Sequence, residues 1–276
     1  VNETPPGTSK AGSGELKLRV VSALVLSAGI LAATAWGGWP FRLVWTLVAG
    51  LVAYEWLSIV SRRHAVAAGL GVVAAGIALG LLPVSPAALA GVAAIAAVTG
   101  AIATPHVEDR HALEACGIAY ALAFALIAPA LRAVPDVGIV LIFWSFAVVW
   151  FTDIAAYFTG RRLGGPKLMP RFSPKKTWSG AIGGAVTGTA CGYAVWALSP
   201  AAKGLIGPLA VIAASLFASI ASQAGDLFES AIKRRFGAKD SSHLIPGHGG
   251  FLDRLDGYWA VLVFAGLALF ATQLDI

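Results

Sequence analysis

Long apolar runs alternate with short polar or charged separators along nearly the whole chain. A helix needs about 20 mostly apolar residues to cross the hydrocarbon core of a bilayer. That criterion predicts nine transmembrane helices, over 18–36, 41–60, 65–83, 87–104, 112–131, 138–160, 180–198, 204–225 and 257–274. The separators are turn chemistry or charge: Gly37-Gly38-Trp39-Pro40, Arg62-Arg63-His64, Pro83 to Pro86, Pro105 to His111, Arg132 to Asp136, a basic stretch over 161–178, Ser199-Pro200, and a charged stretch over 223–257. The expected fold is all-α, a polytopic integral membrane protein. Residues 1–15, rich in Gly, Ser, Thr and Pro, are expected to form a disordered tail. Lys17 and Arg19 precede the first apolar run in the manner of a signal peptide. No small-residue cleavage site closes that run, so it reads as an uncleaved first helix.

Composition agrees with this pattern and adds an orientation. The chain is 58% hydrophobic and only 12% charged, where soluble domains carry roughly 25% charged residues. With nine spans and the N-terminus in the cytoplasm, 17 of the 20 Lys and Arg residues fall on the cytoplasmic side. Only Arg42, Arg132 and Lys203 fall outside, together with the C-terminus. This positive-inside bias accounts for the net charge of +6 without nucleic acid as a partner. The Gly- and Ala-rich spans suit close helix packing in lipid, and no internal repeat supports an inverted-repeat transporter. Cys116 and Cys191 lie inside predicted spans and read as packing residues. Trp36, Trp39, Trp178 and Trp259 lie near span ends and read as an aromatic belt.

The charged stretch 223–257 carries the candidate chemistry. Asp226, Glu229, Ser230 and Lys233 recur at i, i+3, i+4 and i+7, one stripe of a helix that continues the eighth span through Arg235. A solvated helix end with ion pairs would show the same stripe. Asp253 and Asp256 follow at i, i+3 at the entry to the last helix. Either alone could be a capping residue. With Asp226 they make a hard oxygen set suited to Mg²⁺. Between them, Pro246-Gly247-His248-Gly249-Gly250 is a turn whose amides can approach an anion. Lys233, Arg234, Arg235, Lys239 and Arg254 surround it.

A second cluster follows the sixth span. Asp153 lies within the predicted hydrocarbon region, where a centred aspartate costs about 2.5–3.5 kcal/mol on insertion scales, so it should face a polar cavity. Ser173-Pro174-Lys175-Lys176-Thr177 reads as a basic turn feeding a helix N-terminus, a phosphate cradle. A juxtamembrane patch for anionic headgroups would look similar. Glu55, between Tyr54 and Trp56, is another intramembrane acid and a candidate for the same polar cavity as Asp153, Glu229 and Ser230. Carboxylates, cations and glycine turns gathered at one membrane face are the inventory for phosphoryl transfer onto or off a lipid. No Ser/His/Asp arrangement or zinc spacing accompanies them.

Several of these stretches resemble the phosphatidate cytidylyltransferase (CDP-diacylglycerol synthase) family. They are Ser230-Ala231-Ile232-Lys233-Arg234, Lys239-Asp240 and Pro246 through Asp256, with Asp153 to Gly160, Ser173 to Thr177 and Gln223 to Leu227. The similarity covers roughly the C-terminal half. It sets residues 136–276 as a catalytic transmembrane domain facing the cytoplasm and 16–135 as scaffold helices. One departure is Ser179, where the family is expected to carry Glu.

The resemblance implies that CTP and phosphatidic acid give CDP-diacylglycerol and pyrophosphate, with Mg²⁺ as cofactor. A lipid phosphate monoester has a second pKa of about 6 and is largely dianionic at neutral pH. The obstacle is therefore repulsion between anions, which calls for metal and fixed cations rather than a strong base. On this reading Asp226, Asp253 and Asp256 hold one or two ions, with Lys233 completing the catalytic set. Lys175, Lys176, Lys233, Arg234, Lys239 and Arg254 bind phosphates, and His248, Gly249 and Gly250 wrap the nucleotide. A second, monovalent ion and a homodimer are implied by the resemblance alone. The expected location is a bacterial plasma membrane. Competing readings are the same chemistry on an isoprenoid-ether phosphatidate or a polyprenol, an ion-coupled transporter using Asp153 and Glu55, and an anionic-lipid scaffold.

Overall fold

A computed structural model describes residues 11–61, 64–80 and 110–274. The helices are α1 (Ala11–Trp36), α2 (Gly38–Val60), α3 (Ala65–Gly80), α4 (Arg110–Arg132), α5 (Gly138–Leu163), α6 (Trp178–Ala197), α7 (Pro200–Leu205), α8 (Pro208–Arg235) and α9 (Leu252–Leu274). Strands β1 (Lys167–Met169) and β2 (Ser173–Thr177) pair antiparallel between α5 and α6. Six of the helices, α1, α2, α4, α5, α8 and α9, are long and apolar enough to cross a membrane. The chain is a multi-pass membrane protein. The shorter α3 and the glycine-rich α6 coincide with two more predicted spans. The predicted span 87–104 lies outside the described residues.

Several boundaries differ from expectation for local reasons. α1 begins at Ala11, so residues 11–15 are helical rather than part of a disordered tail. The stretch 161–178 is not an open loop: α5 continues through Arg161 and Arg162, and Ser173–Thr177 is a strand rather than a turn. The eighth span does not start at 204. Ser199 caps the short α7 by accepting from Ala202 N, and the chain restarts as a helix at Pro208, whose fixed φ suits the first helical turn. α9 starts at Leu252, ahead of its purely apolar run, so Asp253 and Asp256 lie within its first turns.

The core is aromatic and joins both halves of the chain. Trp45 stacks on Phe124 at 5.8 Å and on Tyr258 at 5.3 Å, and Phe146 stacks on Tyr258 at 4.8 Å. Tyr120 stacks on Trp259 at 4.3 Å, and the Trp259 indole donates to the Tyr120 carbonyl at 2.9 Å. These rings come from α2, α4, α5 and α9, so the predicted scaffold helices pack directly on the charged half.

Small residues set the closest helix approaches. Gly180, Gly184, Gly188 and Gly192 form one buried stripe on α6. A Cβ on Gly188 would lie 2.1 Å from Thr152 Oγ1 of α5. Without a hydrophobic drive between helices in lipid, such close packing and buried hydroxyl bonds hold the bundle. Thr152 and Ser219 share a bond of 2.7 Å, and Trp144 Nε1 donates to Ser215 Oγ at 2.8 Å. The crossing of α8 and α9 works the same way. A Cβ on Gly225 would lie 2.6 Å from the Asp256 carbonyl, and one on Gly257 would lie 2.5 Å from Ser222 Oγ. Asp226 and Asp256 are sequence neighbours of those glycines and so share one crossing.

Candidate active site

The stripe read from the sequence is present on α8, and its centre is Lys233. The ammonium lies 2.6 Å from Glu229 Oε2 and 2.6 Å from Asp253 Oδ1. The contact to Asp253 is an aligned hydrogen bond, whereas the contact to Glu229 is at ion-pair distance without hydrogen-bond alignment. Lys233 and Glu229 are buried. Lys233 therefore balances two acids inside the protein.

The β1–β2 hairpin brings a second lysine to α8. Thr177 caps α6 by accepting from Gly180 N at 3.1 Å. The Ser179 hydroxyl donates to the Gly164 carbonyl at the end of α5. These two bonds tie the hairpin base to the helices on either side. They present Lys176, which forms an ion pair with Asp226 Oδ2. Ser230 Oγ donates to Asp226 Oδ1 at 3.4 Å, a long bond. Unlike the Lys233 cluster, this pair is accessible: Lys176 is 27% and Asp226 33% exposed, so an incoming phosphate and cation can replace its partners. Asp153 of α5 interacts electrostatically with Asp226, Lys176 and Arg254. Asp256 interacts with Asp226, Glu229 and Asp153. Asp153, Asp226 and Asp256, from α5, α8 and α9, thus lie in electrostatic reach of one another, with Lys176 and Arg254 in reach of Asp153.

The loop between α8 and α9 is held at both stems by carboxylates. Asp253 accepts from Gly250 N at 2.8 Å, from Ser241 N at 2.9 Å and from Ser241 Oγ at 2.9 Å, in addition to Lys233. Glu55, fully buried on α2, accepts from Ser242 Oγ at 2.6 Å, Leu252 N at 2.7 Å, Phe251 N at 3.0 Å and Ser241 Oγ at 3.0 Å. It therefore caps α9 from another helix and does not line an open cavity, a correction to the expected placement. At the loop tip Ile245 and Gly249 form a bridge, and Gly249 has φ +85°, a region that favours glycine. Arg254 donates to the His248 carbonyl at 2.7 and 3.0 Å, and His248 Nδ1 lies 2.8 Å from Ser22 Oγ of α1. Partial burial first, then the charge of Arg254, hold the His248 imidazole below its usual pKa, so it is neutral near pH 7. Lys175, Arg234, Lys239 and Arg254 are exposed.

The family profile described as "Cytidylyltransferase family" matches residues 17–272. The chain belongs to the cytidylyltransferase family. It is 42% identical over 259 residues to a protein named phosphatidate cytidylyltransferase from Brucella suis biovar 1 (strain 1330), covering 93% of this chain and 94% of that one. A protein of the same name from Bacillus subtilis (strain 168) is 41% identical over 145 residues, 51% of this chain and 52% of that one. Its counterpart from Haemophilus influenzae (strain ATCC 51907 / DSM 11121 / KW20 / Rd) is 42% identical over 133 residues, 47% of this chain and 46% of that one.

For this cytidylyltransferase the fit of a metal can be tested on the donor set. Among the described residues no group of three His, Cys, Asp or Glu side chains is placed to hold one ion. Mg²⁺ often takes only one or two carboxylates and completes its shell with water and substrate phosphates. Asp226 and Asp256, adjacent at the α8–α9 crossing, suit that pattern. Asp253, expected as a third ligand, accepts from four donor groups and so also holds the loop. Sequence reasoning missed Ser241, Ser242 and Ser22. Serines next to charged motifs are common, and nothing in their spacing points to a carboxylate on α2.

Proposed function

We infer that this chain is a phosphatidate cytidylyltransferase. It transfers CMP from CTP to the phosphate of phosphatidic acid, giving CDP-diacylglycerol and pyrophosphate. The observation that carries the site assignment is the accessible Lys176–Asp226 pair at the end of α8, with Asp153, Asp256 and Arg254 in electrostatic reach. A lipid phosphate oxygen attacks the α-phosphorus of CTP, and the bond from the α-phosphorus to the oxygen bridging to the β-phosphate breaks. The lipid phosphate is already a dianion near pH 7, so no side chain has to remove a proton.

Lys176 turns from Asp226 toward a phosphate, and Asp226 becomes available to a cation. Lys175, Lys239, Arg234 and Arg254 surround the triphosphate and the departing pyrophosphate. His248, Gly249 and Gly250 supply the loop that closes over the nucleotide. Asp226 and Asp256 would hold Mg²⁺, which supplies positive charge between the phosphates when bound. Lys233 keeps α8 and α9 in register through Glu229 and Asp253.

In this reading nine helices cross a bacterial inner membrane, with the N-terminus and the site cytoplasmic and the C-terminus outside. The bias of basic residues supports that orientation. A homodimer and a second, monovalent ion belong to the same proposal.

The deciding experiment supplies labelled CTP and phosphatidic acid in mixed micelles to the purified protein, with Mg²⁺ or excess chelator. Label should enter the organic-extractable lipid only when both phosphatidic acid and metal are present. Folded protein that labels a polyprenol or an ether lipid instead would move the substrate assignment. Folded protein that labels no lipid would overturn the reaction.

A further inference from the structure

We propose that Glu55 is a positioning residue for the nucleotide: through the loop it grips, it sets the affinity for CTP. This rests on the reaction stated above.

The geometry is specific. Each carboxylate oxygen of Glu55 receives one backbone amide and one serine hydroxyl. Oε1 takes Phe251 N at 3.0 Å and Ser242 Oγ at 2.6 Å; Oε2 takes Leu252 N at 2.7 Å and Ser241 Oγ at 3.0 Å. One side chain of α2 therefore holds the incoming stem of the loop at Ser241 and Ser242 and the outgoing stem at Phe251 and Leu252. Gly250 allows the approach, since a Cβ there would lie 2.5 Å from both Glu55 oxygens. α2 is itself anchored: Trp56 is buried, fits against Gly117 and donates to the Leu113 carbonyl at 2.9 Å. Everything between the stems, including His248 and Gly249, is aimed by this clamp, and Arg254 follows it by one helical turn. Glu55 is fully buried and acts through these groups.

A loop that is ordered before the nucleotide arrives spares the entropy of ordering it on binding. Gln at position 55 keeps the shape but sets an NH₂ against one backbone amide. Whichever way the amide is flipped, one N–H of Phe251 or Leu252 loses its acceptor. A change of roughly tenfold corresponds to about 1.4 kcal/mol, within the range for a lost bond to a charged group.

The test measures wild type and Glu55→Gln in the micelle assay at varied CTP, with thermal melting of both. The KM for CTP should rise about tenfold, with kcat within about threefold and the KM for phosphatidic acid unchanged. Hydrogen exchange should accelerate at Phe251 and Leu252 and not in the aromatic core. If Glu55→Gln does not fold, Ser242→Ala, which removes one of the four bonds to Glu55 together with the Leu244 N–H bond to the same hydroxyl and leaves the carboxylate, should raise the KM for CTP in the same direction. An unchanged KM for CTP in a folded Glu55→Gln, or in Ser242→Ala when Glu55→Gln does not fold, overturns the proposal. So does a loss confined to kcat. Because wild type is assayed alongside, its turnover distinguishes failure of this proposal from failure of the reaction assignment.

Discussion

Lys233 on α8 donates to Asp253 on α9 at 2.6 Å, while the same ammonium lies 2.6 Å from Glu229. One buried cation thus serves two acids, and the three groups respond unequally to substitution. Lys233→Met leaves Glu229 without a partner and leaves Asp253 with its backbone and serine donors but no counter-charge. It should destabilise the protein by about 3–5 kcal/mol. Glu229→Gln leaves the Lys233–Asp253 pair intact and should cost far less. Thermal melting in detergent orders the two, and equal melting temperatures would contradict the buried triad.

Asp226 and Asp253 should fail in different ways. Asp226 is one-third exposed and sits beside Lys176, so Asp226→Asn should keep the melting temperature and lower turnover at least about a hundredfold. Asp253→Asn removes charge from an acceptor with four donor groups around it. It should lower both the melting temperature and turnover. Folding and activity measured on the same preparations separate the roles.

Metal dependence should follow the two carboxylates at the α8–α9 crossing. Excess chelator should abolish lipid labelling, and added Mg²⁺ should restore it. Asp256→Asn should raise the Mg²⁺ concentration needed for half-maximal rate. A Mg²⁺ titration that is the same for wild type and Asp256→Asn would remove Asp256 from the metal set.

The glycine stripe of α6 predicts a packing defect away from the site. A Cβ on Gly188 would meet Thr152 Oγ1 at 2.1 Å and the Val148 carbonyl at 3.0 Å. Gly188→Ala should therefore cost about 1–3 kcal/mol by overpacking. Gly71, with nothing near a built Cβ, should accept Ala without loss. Melting curves of the two variants test the contrast.

Much of this protein could be read from one dimension. Burial in lipid requires long apolar runs, so helices stand out by length, and eight predicted spans coincide with helices among the described residues. The stripe of Asp226, Glu229, Ser230 and Lys233 was legible because helical periodicity puts those positions on one face. The family resemblance lay in the same charged stretch.

What the sequence could not determine is which charge meets which. Lys176 and Lys233 are both lysines near acids, yet one pairs with an accessible Asp226 and the other is buried between Glu229 and Asp253. Glu55 reads as an isolated intramembrane acid, and only the packing of α2 against the start of α9 makes it a cap for Phe251 and Leu252. Hydropathy and periodicity are properties of neighbours along the chain. Ion pairs and caps across helices depend on where glycines let backbones approach, which is decided only when the bundle closes.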